Sequence, residues 1–135
     1  MDWIECNNQR IVKNVAIDRP MIRSLIDASN NKMESEKILP LTAVTASSKI
    51  TLAYDALREL LEALSLSKGF KIYNHECYTP YLKEVMNQSL LSDEFDELRK
   101  LRNAINYYGK KFSPEDSTLV LNNIKRIIIA VRKLF

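Results

Sequence analysis

Residues 42–69 read TAVTASSKITLAYDALRELLEALSLSKG, and their periodicity decides the fold class. Ala53, Ala56, Leu57, Leu60, Leu61 and Leu64 recur at spacings of three and four, which puts them on one wide apolar helix face. The first half is crowded with small side chains, Ala43, Ala46, Ser47, Ser48, Ala53 and Ala56, which let a neighbouring helix approach closely. Gly69 is a natural stop, and Lys68 before it suits the negative end of a helix. The spacing predicts a helix from about Thr42 to Lys68.

Upstream, Asp18 is placed to cap a helix that tolerates Pro20 in its first turn. Met21, Ile22, Leu25 and Ile26 follow at helical spacing, and the helix is expected to end before Pro40. Residues 1–17 read either as a short lead-in helix or as irregular chain. Downstream, Phe70 to Thr79 reads as a loop or single turn, and Thr79-Pro80 as the start of a short helix. Ser92 with Asp93 and Glu94 is expected to open the next helix, with Phe95, Leu98, Leu101, Ile105, Tyr108 and Phe112 as its stripe. Ser113-Pro114 repeats that grammar before a last helix carrying Leu121, Ile124, Ile128 and Val131.

The 135 residues suffice for one continuous core, and two glycines and four prolines allow few sharp turns. The expected fold is all-α: a single domain over 1–135, an antiparallel up-and-down bundle of four to five helices. A net charge of +3 permits an acidic partner such as RNA without requiring one. Cys6 and Cys77 are too few and too far apart along the chain to suggest a disulfide framework. No cofactor and no metal site is expected, because His75 and two cysteines fall short of four zinc ligands. The N-terminus carries no secretory pattern, and the apolar run Ile127–Val131 is too short for a bilayer. The expected location is the cytoplasm, away from the membrane.

Glycine-rich phosphate loops are absent, and the carboxylates at 93, 94, 96 and 97 fit a helix start better than an acid–base pair. His75 lies two residues from Cys77, but a lone loop histidine reads as a hydrogen-bonding or solvated residue. The remaining candidate is LRKLRNAINYYGKKF, residues 98–112. Arg102 and Asn106 share one helix face, and Asn103 and Tyr107 another. Arg102 and Tyr107 stand about 140° apart on an ideal helix, so they converge only if the helix bends or a second chain completes the site. Guanidinium forks, an amide and a phenol suit a phosphate or carboxylate, with a ring available to stack on a base. The alternative is a solvated helix edge with Arg–Glu pairs.

Two segments, SSKITLAYDALRELLEALSLSKGFKIYNHECYTPYL and LRKLRNAINYYGKKF, in this order, resemble the HEPN superfamily (higher eukaryote and prokaryote nucleotide-binding domains). The likeness covers about residue 20 to the end. The family's motif is an Arg and a polar residue followed, after four to six positions, by a His. Arg102 and Asn103 match its first half, and Tyr107 or Tyr108 stands where the His would fall. The resemblance implies Arg102 and Tyr107 at a reaction centre, with Arg99, Asn103, Asn106 and Tyr108 contacting nucleotide or RNA. It also implies a homodimer with the Arg-bearing helices facing, and a toxin-type role beside a minimal nucleotidyltransferase. A metal-independent endoribonuclease would use the Arg on phosphate charge and the His as proton carrier. Tyr, with an ordinary pKa of about 10, shuttles protons poorly, so binding is implied more strongly than cleavage. A tyrosine beside that Arg would also be a chemically reasonable acceptor of a transferred nucleotide. The other reading is a catalytically inactive module that docks a partner protein.

Overall fold

The four long helices follow from the apolar stripes just described, and two of them from the caps at Asp18 and Ser113. The computed structural model describes residues 1–135 as α1 (Trp3–Asn8), β1 (Val12–Asn14), α2 (Arg19–Ile38), α3 (Ala46–Ser67), β2 (Phe70–Ile72), a 3₁₀ turn (His75–Cys77), α4 (Tyr78–Pro80), a π turn (Tyr81–Val85), α5 (Ser89–Tyr108) and α6 (Pro114–Arg132). The architecture is the expected mostly helical bundle, with a small antiparallel ribbon added where Val12 pairs with Ile72. No helix is long and apolar enough to cross a membrane.

Helix α3 is the centre, and α2, α5 and α6 pack around it. Its residues Leu57, Leu60, Leu61 and Leu64 are fully buried or nearly so. The small residues act as expected: Ser29 on α2 donates to the Ala56 carbonyl at 2.7 Å, and Ser117 on α6 donates to the Ala46 carbonyl at 2.9 Å. Only an alanine-lined face lets a neighbour's short hydroxyl reach a helix carbonyl. Asp18 caps α2 through the Met21 amide at 3.1 Å, and Ser113 caps α6 through the Asp116 amide at 3.1 Å.

The ends of other elements differ from expectation. Helix α3 starts at Ala46, because Thr42 turns its hydroxyl onto the Val44 and Thr45 amides and holds a turn there. Helix α5 starts at Ser89, and Ser92 is not its cap but a buried residue donating to the Thr79 carbonyl at 2.8 Å. Thr79 likewise caps nothing; its hydroxyl donates to Asp96 at 3.1 Å. Tyr108 leaves the apolar stripe and is exposed, because Gly109 ends the helix there in a left-handed turn at φ 65°.

Cys6 and Cys77 are joined in a disulfide, contrary to the sequence reading. Trp3 packs on Phe70 and Tyr81, with ring centroids 5.4 and 5.5 Å away, and its amide donates to Glu84 at 2.9 Å. That docking folds α1 back onto the 75–77 turn and brings the two Cα atoms to 6.1 Å across 71 residues of sequence. Distance along the chain carried no information about this approach.

Beneath the end of α2 lies a buried charge cluster. Lys49 of α3 is 3.0 Å from a Glu36 carboxylate oxygen, and its ammonium also donates to the carbonyls of Glu36 and Leu39. A cation there satisfies carbonyls that the helix end leaves open and complements its dipole. The second Glu36 oxygen accepts no hydrogen bond, although Lys125 stands at an ion-pair distance of 3.6 Å.

Candidate functional site

Helix α5 presents Arg99, Arg102, Asn103 and Tyr107 along one side, and the segment Tyr73–Glu76 faces them. Between them runs an open groove of about 270 Å³. Arg102 and Tyr107 line the same groove, facing the segment Tyr73–Glu76 of the same chain. A larger cavity, about 400 Å³, lies between the start of α2 and Ser67, with Arg19 and Arg23 as its charged groups. It lacks the amides, imidazole and phenol that converge on the groove.

Arg99 and Arg102 line the groove, Arg58 acts on His75 through its charge, and Arg99 and Arg58 are committed to carboxylates. Arg99 donates from Nε and an amino nitrogen to Asp96 at 3.2 and 3.0 Å. Arg58 bonds Glu62 at 3.1 Å. Burial alone would raise the Asp96 pKa, but hydrogen bonds from Lys100, Arg99 and Thr79 outweigh it and hold the carboxyl below its usual range. Arg102 has no carboxylate partner. Its guanidinium lies 5.6 Å from the Tyr54 ring centroid. With the Asn106 amide turned so that both groups are satisfied, Oδ1 accepts from Arg102 Nε at 3.0 Å and from an amino nitrogen at 3.3 Å. A neutral amide and an aromatic face orient the fork while leaving its charge uncancelled.

His75 is the residue that sequence reasoning set aside and the fold brings in. Tyr54, Tyr78 and Phe95 form an aromatic floor: Tyr54 and Phe95 stack at 5.9 Å, and the His75 ring sits 6.1 Å from Tyr54 and 6.4 Å from Tyr78. The Tyr54 hydroxyl is 3.4 Å from His75 Nδ1. Burial pushes the Tyr54 pKa up to about 12 against the opposing charges of Arg102, Arg99 and Arg58. The phenol keeps its proton at neutral pH, and Nδ1 is the ring atom it reaches. A phenol that donates to Nδ1 leaves the imidazole proton on Nε2, the other nitrogen of a ring that lines the groove. Burial, then Arg58 and Arg102, lower the His75 pKa from 6.5 to about 4, against the weaker opposing effect of Asp55 and Glu62. The ring is neutral at pH 7 and offers one N–H.

The six sequence-predicted residues divide. Arg99, Arg102, Asn103 and Tyr107 line the groove or its rim. Asn106 supports Arg102 from behind. Tyr108 lies outside the lining, exposed at the helix end. Tyr73, Asn74, His75 and Tyr54 were not among them. A hydroxyl inside the apolar stripe of α3 was the available sign for Tyr54, since such a group needs a polar partner. Cys77, two residues from His75, is held in the disulfide and is no free nucleophile.

No family model, curated protein or solved structure matches this chain.

Proposed function

We propose that the chain is a HEPN-like protein that binds nucleotide or RNA, with the phosphate held in the α5 groove. The observation that supports this reading is Arg102: a half-buried guanidinium, oriented by Asn106 and Tyr54 and paired with no carboxylate. Arg102 takes the phosphate oxygens, Asn103 and His75 Nε2–H add neutral donors, and Tyr107 offers a ring at the rim. Neutral His75 with a depressed pKa suits a hydrogen-bond donor better than a proton shuttle at neutral pH, so binding is proposed ahead of cleavage. We extend the reading to a homodimer acting in the cytoplasm as the toxin-type partner of a minimal nucleotidyltransferase. The Cys6–Cys77 bond is the observation that weighs against the cytoplasm, where such bonds are rare.

The test is binding of UMP and of a labelled RNA oligonucleotide to wild type and Arg102→Ala, with cleavage of transfer RNA followed in the same samples. Binding that falls at least tenfold in the variant supports the phosphate site; equal binding overturns it. Cleavage that is absent from wild type leaves a binding protein, and cleavage lost with Arg102 makes it an endoribonuclease.

A second reading is a docking module. A groove between α5 and α6 is lined by Leu98, Leu101, Leu119 and Val120 together with Glu94, Glu97 and Asn123, and Leu119 is 69% exposed. Co-purification with a partner protein in the absence of RNA would favour it.

A further inference from the structure

The β1–β2 ribbon breaks a rule of local stability beside the groove. Its alternation is regular: Val12 and Ile72 pair inward and are buried, so their neighbours point outward. The outward register pair is Lys13 and Lys71. Like charges directly opposite on neighbouring strands repel and destabilise the pair. Glu62 relieves part of this by bonding Lys71 at 2.5 Å, while Lys13 is in no ion pair. Both ammonium groups also lie over the ring of Tyr73, at 5.7 and 5.8 Å from its centroid. Tyr73 is 58% exposed.

Tyr73 is also the first residue of the segment that walls the groove opposite Arg102. An aromatic platform flanked by two cations therefore continues directly from the phosphate site. Stacking on an exposed ring with cations alongside is a sequence-tolerant way to hold the bases of a flexible strand. A bound phosphate between Lys13 and Lys71 would turn their repulsion into attraction, so the cost built into the ribbon is recovered on binding.

We propose that the ribbon is a second subsite, in which Tyr73 stacks a base and Lys13 and Lys71 hold the adjoining phosphate, so that the ligand is a single-stranded polynucleotide rather than a mononucleotide. This rests on the phosphate site at Arg102 and extends it by at least one nucleotide.

The experiment measures wild type, Tyr73→Ala, Tyr73→Phe, Lys13→Ala and Arg102→Ala against three probes: UMP, fluorescein-labelled hexauridylate and the matching deoxyhexanucleotide. Wild type is expected to bind the hexanucleotide at least tenfold more tightly than UMP. Tyr73→Ala should reduce that ratio about tenfold, and Tyr73→Phe, which keeps the ring, should restore it. Lys13→Ala should lessen the salt dependence of hexanucleotide binding by about 0.7 in log–log slope. Far-ultraviolet circular dichroism of these exposed-site variants reports that the fold is retained. A wild-type preference of less than twofold for the hexanucleotide, or a ratio indifferent to Tyr73→Ala, overturns the second subsite while dependence on Arg102 keeps the first. Indifference of every probe to Arg102→Ala overturns the first site, and the extension with it. Equal results for ribo- and deoxy-probes assign single-stranded nucleic acid in general; a tenfold ribo-preference assigns RNA.

Discussion

The hydroxyl of Tyr54 stands 3.4 Å from Nδ1 of His75, and this contact ties the central helix to the groove. If the phenol is the donor, the imidazole proton sits on Nε2. Tyr54→Phe removes the donor and frees the imidazole to change tautomer. Folding stability is expected to fall by about 1 kcal/mol, the usual worth of one such bond. Nitrogen chemical shifts of His75 should move from a single Nε2–H form to a mixture; an unchanged pattern would show that the phenol does not set the tautomer.

His75 also makes stability depend on acid. Its imidazole titrates at about 4 in the folded chain, against 6.5 for the ordinary group. Between those values the unfolded state binds more protons, so stability rises with pH there. The neutral-ring contribution is complete above about pH 6.5 and is lost as the pH falls toward 4. Urea denaturation across this window should show a shallower pH dependence in His75→Gln than in wild type, by up to one proton. Parallel curves would refute the shift.

Arg102→Lys separates geometry from charge. Lysine keeps the positive charge but lacks the planar fork that meets Asn106 and lies over Tyr54. UMP affinity should fall several-fold in Arg102→Lys and further in Arg102→Ala. If lysine restores full affinity, the ligand is held by charge alone.

The Cys6–Cys77 bond closes a loop with a sequence separation of 71. The chain-entropy estimate gives about 4 kcal/mol for a loop of that size. Denaturation with and without dithiothreitol should show a loss of that order, and Cys77→Ser should be insensitive to the reductant. Because Cys77 closes the turn that begins at His75, reduction should also weaken binding in the groove. Titration of free thiols in protein prepared without reductant should find none if the bond forms in the cell, and two if it does not.

Lys49→Met should cost about 3 kcal/mol, because it leaves the buried Glu36 carboxylate with only the more distant Lys125. Replacing both residues, Glu36→Leu with Lys49→Met, should recover part of that loss. Recovery should stop short of wild type, since the carbonyls of Glu36 and Leu39 also lose their donor. Thermal or urea melts of the three variants measure the difference directly.

Much of the bundle was legible because its signals are local. Asp18 and Ser113 announce their helices through a cap that bonds three residues on. The leucines of α3 announce its buried face through spacing alone, and Gly69 marks its end. Ser92 misled because a serine before two acids looks the same whether it caps a helix or lies buried in one; the Thr79 carbonyl that claims its hydroxyl is remote in sequence. The β1–β2 ribbon escaped notice because three-residue strands are too short to show alternation.

The sequence by itself determined the four long helices, the stops of α2 and α3 and the shared face of Arg102 with Asn106, since each depends on residues within a turn or two. Tertiary structure alone decided the partnerships of Cys6 with Cys77, Lys49 with Glu36, and His75 with Tyr54 and the α5 arginines. Those pairings join segments far apart along the chain. They form only when packing against α3 sets the distances, and residue spacing carries no record of them.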